Sequence, residues 1–251
     1  MIEILYPAFI LGIALVFIHS VFGLEIIKRG VIFTDLAIGQ FASIGMAISI
    51  AFLDTKYQTP LTFLGAFLGA VIITWATKKV QKIEAFIGLL YAFGISSIML
   101  ILAKSSSGVE LYSKLSASDI LFTSSDELYK SLILYSFVSM IMFFIYPKLK
   151  GTLKEFVFFL MLAITVTSSV QSAGVLVVFA LLIAPSYAGL LQNIFKPFWF
   201  ASIFGSIGII TALALSYNFD LPTGYTIIFI TVLSSMIFVV YQSFLKTPKS
   251  L

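Results

Sequence analysis

The 251-residue chain has no cysteine and a single histidine. Without thiols it can build no disulfide framework, no zinc–thiolate centre and no cysteine nucleophile. One imidazole leaves little for acid–base chemistry. Charge is scarce as well: charged residues make up 10% of the chain, against about 25% in ordinary soluble domains. That is too little polar surface to cover a water-soluble globule of this size. The chain also lacks a P-loop, an H-E-x-x-H and a G-x-S-x-G, so it has no P-loop route to ATP hydrolysis and no recognisable hydrolase centre.

What fills the space is apolar: 60% of residues are hydrophobic. A spanning helix needs about 20 mostly apolar residues. Runs separated by charge, Pro or Gly give nine candidate spans at 5–26, 33–53, 60–77, 85–103, 128–147, 155–170, 172–191, 198–217 and 223–245. Strand-and-turn alternation is sparse, which argues against a barrel. The expected fold is all-α: a polytopic integral membrane protein of about nine (eight to ten) helices in one bundle, with residues 1–251 as a single transmembrane domain. MIEILYPAFILGIALVFIHS lacks a basic start and a small-residue cleavage site, and is expected to be the first span. The stretch 155–191 is too long for one span and carries the polar run TSSVQSAG, where a break is expected. Residues 104–127 form a loop rich in serine and acids.

Cations orient the chain. Eleven of the 15 Lys and Arg, from Lys28 and Arg29 to Lys246 and Lys249, fall in one set of alternate connections and the C-terminus; Lys56, Lys104, Lys114 and Lys130 fall in the other. Cytoplasmic loops attract Lys and Arg, which places the N-terminus outside and the C-terminus in the cytoplasm. The net charge of +4 is scattered over short segments and is no nucleic-acid footprint. Gly65 and Gly69 form a G-x-x-x-G, expected to pack one bundle internally rather than to form a dimer seam.

Ionisable or polar groups inside spans cost from about 2.5 kcal/mol upward and are functional hypotheses by default. Four stand out: His19, Glu25, Asp35 and Gln40. His19 has a plain alternative as a satisfied structural histidine, and Glu25 as an interfacial ion pair with Lys28 or Arg29. Asp35 follows Thr34 at the start of a span, where it serves either as a helix cap or as a polar station. Gln40 lies five positions on, about 140° around a helix, so the two do not share a face.

Two stretches carry a resemblance, GLEIIKRGVIFTDLAIGQFASIG at 23–45 and SSVQSAGVLVVFALLIAPSYAGLL at 168–191, supported by IEAFIGLLYAFGISSIMLILAKS at 83–105 and LFTSSDEL at 121–128. In this order they resemble the permease subunits of bacterial ATP-binding-cassette importers for zinc, manganese or iron(II). Most members place a His four residues after the Asp; Gly39 stands there instead. One branch carries the Asp followed five later by Gln, as at Asp35 and Gln40, and often a His where this chain has Glu25. A carboxylate at that position shifts the donor toward hard oxygen. The connection KLKGTLKEF at 148–156 is shorter than in most members.

The resemblance implies a divalent metal ion as substrate, with no cofactor bound by this chain. It further implies a separate ATPase subunit that uses ATP, an extracytoplasmic metal-binding protein, a second copy of the permease and a place in the cytoplasmic membrane. It implies metal-path roles for Asp35, Glu25, Gln40 and His19. It also implies a coupling segment at Pro185, Ser186, Tyr187, Ala188, Gly189 and Leu190. There Pro185 is expected to kink or end its span and APSYAGLLQ to form a short helix along the membrane, whose small residues admit the ATPase. A plain Pro-ended span with an interfacial turn is the alternative. Rival functions are a self-sufficient secondary transporter, which calls for inverted repeats that the halves do not show, and an intramembrane enzyme or structural membrane protein.

The charge asymmetry sets a direct test. A reporter fused after Leu251 is expected in the cytoplasm and one inserted between Ser106 and Gly108 outside it; both on one side would overturn the nine-span order.

Overall fold

A computed structural model describes residues 2–105, 108, 110, 112 and 120–245, with the side chains of 2–5, 122 and 245 excepted. Part of the predicted serine-rich loop, with Lys114, and the terminal Lys246 and Lys249 lie outside the described residues. Helices run as α1 (Ile2–Arg29), α2 (Thr34–Phe52), α3 (Gln58–Lys79), α4 (Ile83–Leu102), α5 (Ser125–Met140), α6 (Gly151–Ala173), α7 (Val175–Leu191), α8 (Pro197–Phe219) and α9 (Thr223–Leu245). A π-turn and a 3-10 turn extend α5 to Lys148. Among the described residues there is no strand. Eight of these segments are long and apolar enough to cross a membrane; α7, of 17 residues, is shorter, about 25 Å at 1.5 Å per residue. The expected all-α polytopic fold is the one observed, with one helix for each of the nine predicted spans. The outward faces suit lipid rather than water: Leu100, Ile133 and Phe244 are each over 70% exposed.

The 155–191 stretch is two helices, as its length demanded, and the break falls at the end of the polar run, where it was expected. Two hydroxyls of the run turn back onto their own helix, Ser169 Oγ donating to Thr165 O at 2.7 Å and Ser172 Oγ to Ser168 O at 3.2 Å. Such i−4 bonds cost the helix little. The stop is Gly174, whose φ of +82° lies where a side chain is disfavoured. Pro185 departs from expectation. It sits inside α7, which continues to Leu191, so APSYAGLLQ forms no separate helix along the membrane. Proline inside a membrane helix is tolerated where neighbours compensate. Here α8 presents Gly205 to it: a Cβ on Gly205 would lie 3.0 Å from the Pro185 ring.

The chain forms two compact units. One comprises Met1–Arg29, Asp119–Leu132 and Leu176–Leu251, the other Gly30–Ser118 and Ile133–Val175. In the first, α8 packs on α1 and α9; in the second, α2 packs on α3, α4 and α6. Glycines set the closest approaches. A Cβ on Gly45 would lie 1.9 Å from Leu61 O, and one on Gly65 2.1 Å from Phe41 O. Gly65 of the G-x-x-x-G therefore packs α3 against α2 inside one unit, as the internal-packing reading expects.

Gly45→Ala is accordingly expected to lower stability by about 1–3 kcal/mol through forced backbone separation, whereas Gly88→Ala, with nothing within 4 Å of the added carbon, should not. Thermal denaturation of the two purified variants checks this; equal midpoints would show that the α2–α3 contact is not limiting.

Candidate functional site

The second unit holds the buried carboxylate. Asp35 is 1% exposed and its Oδ1 has no hydrogen-bond partner. The residue before the helix is Phe33, and it makes no side-chain cap. Asp35 stands one residue inside the helix, in a first turn where the backbone dipole favours negative charge. Its carboxylate meets the backbone N–H groups of Asp35 and Leu36, as the capping alternative expects, and leaves Oδ1 over. Thr34, beside it, is fully buried with an unpartnered hydroxyl.

A second carboxylate meets the same approach to α2. Glu84, at the start of α4, accepts a hydrogen bond from Ile32 N–H at 2.8 Å through Oε1, while its Oε2 is buried without a partner. Glu84 was not singled out in the sequence, because it follows Lys82 and reads as a charged loop end. Its partner is a backbone amide 52 residues away, which spacing does not reveal.

Gln40 belongs elsewhere on α2. It lines a small cavity with Ser43, Met46, Tyr112, Val170, Gln171 and Val175; Asp35 is not part of that lining. The 140° separation of Asp35 and Gln40 thus holds in the fold.

Glu25 and His19 lie in the first unit, on α1. Glu25 Oε2 is 3.7 Å from Arg29 Nε one turn on, and its side chain is 36% exposed. That is the ion pair offered as its plain alternative, and an exposed pair of this kind contributes little stability. His19 is fully buried. Its Nδ1 lies 2.7 Å from Leu15 O; a carbonyl only accepts, so Nδ1 carries the proton. Nε2 is left with its lone pair and no partner. Among the described residues no three His, Asp or Glu side chains converge to hold a metal. Within the second unit, Asp35 and Gln40 do not line one cavity.

The predicted coupling segment is mostly internal. Pro185, Ser186, Ala188 and Gly189 are buried, and Ser186 Oγ is unpartnered. A Cβ on Gly189 would lie 2.6 Å from Pro197 O and 3.2 Å from Ala201 Cβ. The small residues expected to admit another subunit admit α8 instead. Leu190 is half-buried, and Tyr187, 43% exposed, is the one clearly outward side chain of the six.

The surface continues past the helix end. The Gln192 side chain ties the following turn together: its Nε2 donates to Gly189 O and Phe195 O, and its Oε1 accepts from Ile194 N–H and Phe195 N–H, all at 2.7–3.1 Å. This turn holds out Ile194, 80% exposed, and Phe195, 60% exposed. The sequence signal was a Gln between a leucine pair and the start of α8, too short to stand out.

Comparison with known proteins agrees with this architecture. The model of the ABC 3 transport family matches residues 1–243. The chain belongs to the ABC 3 transport family. It is a multi-pass membrane protein and a transport permease, not itself an enzyme. It is 29% identical, over a 264-residue alignment covering 98% of this chain and 91% of the relative, to the manganese transport system membrane protein MntC of Listeria innocua, and equally to that of Listeria monocytogenes. It is 26% identical over 247 residues, covering 89% of this chain and 81% of the relative, to a membrane protein of the ycf23-apcF intergenic region in Cyanophora paradoxa. Its fold is similar to PsaBC from Streptococcus pneumoniae in complex with Fab, with a TM-score of 0.72 at 19% identity over 98% of this chain and 93% of the other.

Proposed function

We propose that this ABC 3 permease is the membrane subunit of an ATP-driven importer that carries a divalent transition-metal ion across a bacterial cytoplasmic membrane, and that manganese is the cargo to test first. The observation that carries it is Asp35: a buried carboxylate with a free oxygen at the start of a helix long and apolar enough to span a membrane. Such a group is expensive in lipid unless it does work. A dehydrating dication needs oxygen or imidazole donors that bind weakly enough to release it. A tight four-ligand cage would hold it. The manganese relatives favour this cargo over zinc or iron.

Energy comes from a partner, since the chain has no P-loop. That partner is an ATP-binding-cassette subunit on the cytoplasmic side. An extracytoplasmic metal-binding protein delivers the ion, and a second copy of the permease completes the path. The coupling contact is assigned to Tyr187, Ile194 and Phe195 at the end of α7. Two exposed apolar side chains on a turn fixed by Gln192 form a preorganised anchor that a partner groove can desolvate.

Two experiments test this reading. Asp35→Asn keeps shape and removes charge, and is expected to cut manganese uptake at least about tenfold at unchanged protein level; normal uptake of every divalent metal tried would reduce Asp35 to a structural role. Replacing Ile194 and Phe195 together by serine is expected to release the ATPase subunit during co-purification, with the permease still inserted. Retention of that subunit with intact metal-stimulated ATP hydrolysis would move the coupling contact elsewhere.

A further inference from the structure

The cavity beside Gln40 has a chemistry that Asp35 does not supply. Its volume is about 80 Å³, room for several waters by this measure. Gln40 and Ser43 reach it from α2 and Gln171 from α6, with Tyr112 alongside. Gln40 is held there sterically: Gly94 of α4 leaves the notch that its stem fills, and a Cβ on Gly94 would lie 2.5 Å from Gln40 Cβ. Met46, on the same wall, packs into an apolar cluster with Ile50, Ile98 and Leu102, which fixes that side. The link after Gly174 brings Val175 to the rim.

Two carboxamides, a hydroxyl and a phenol are neutral oxygen donors on three separate parts of the chain. None of the lining residues is charged. A bare dication would find no compensating charge here, whereas one that keeps part of its water shell could exchange only some of its waters for amide oxygens. Carbonyl and water ligands suit manganese and magnesium; zinc and copper favour nitrogen and sulfur.

We propose that this cavity is a transient binding site for a partly hydrated, oxygen-preferring divalent cation, held by the carboxamide oxygens of Gln40 and Gln171, and that it sets metal preference separately from Asp35. The proposal rests on the importer reading above. The test measures uptake of Mn²⁺ by cells carrying the complete importer, alone and in competition with Zn²⁺.

Gln40→Leu and Gln171→Leu are each expected to raise KM for Mn²⁺ about tenfold, and Gln171→His, which adds an imidazole, to shift preference toward Zn²⁺. If a leucine variant fails to accumulate, Gln40→Asn and Gln171→Asn, one carbon shorter with the amide kept, should raise KM in the same direction. KM and metal preference unchanged at normal protein level, in a wild-type background that does import Mn²⁺, would overturn the site while leaving the importer reading intact. Absence of wild-type uptake of any divalent metal would overturn both.

Discussion

Backbone-to-backbone contact between helices is the constraint on which the rest of each unit depends. Lipid tails are as apolar as leucine, so burying side chains gives helices little reason to associate; close packing and dispersion must supply it. The second unit obtains this from glycine. Leu61 O and Phe41 O occupy the places where side chains of Gly45 and Gly65 would stand, bringing α2 and α3 together along their length. On another side, Gly94 of α4 takes the stem of Gln40. Gln40 precedes Phe41, so the same stretch of α2 is held by two neighbours. In the first unit Gly23 plays the corresponding part: its added carbon would lie 2.0 Å from Leu182 O, within the turn that Pro185 weakens.

Hydroxyls show which polar atoms are idle and which are not. Thr62, Thr74, Thr165, Ser169 and Thr231 each donate to a carbonyl four residues back. This is how a membrane helix absorbs a small polar side chain at almost no cost. Against that background the exceptions stand out. In the second unit they include Thr34, Asp35 and one oxygen of Glu84 around the approach to α2; in the first, His19, Ser20, Ser186 and Ser202. A buried polar atom without a partner carries a desolvation cost of about 1–3 kcal/mol. The groups around Asp35 therefore combine a cost to the fold with donors suited to a cation.

Patterns within one helix were legible in the sequence, and contacts between helices were not. Every apolar run of span length became a helix, because backbone hydrogen bonds must close within the segment in lipid. The G-x-x-x-G was legible because small-residue spacing has one physical use. TSSVQSAG located the break between two helices but not its cause: the run stays helical up to Ala173, and the stop is its last residue, Gly174, through a backbone dihedral. Pro185 misled because the rule that proline ends helices holds in water, while here Gly205 opposite accommodates the ring. At the candidate site, Asp35 and Gln40 were legible as polar residues in apolar surroundings. Glu84 and Gln192 were not, because each acts on backbone amides whose position only the folded chain defines.

The polar groups have separate surroundings. Glu25 is paired with Arg29, His19 bonds its own helix, and Gln40 lines a cavity whose lining does not include Asp35. A storage or catalytic metal site would gather such residues to maximise affinity. For an importer, affinity at any one station subtracts from the rate of leaving it, and each tenfold gain in binding adds about 1.4 kcal/mol to the exit barrier. Under the proposed importer function, a charged station at Asp35 and a neutral one at Gln40 would divide the dehydration of a dication into two smaller steps. On that proposal the carboxylate would supply attraction, and the amides would replace waters without deepening the well. A histidine four residues after the aspartate would merge both functions into one tighter site; Gly39 occupies that position, and the proposal gives the donor role to the next residue, Gln40, on a different face of the helix.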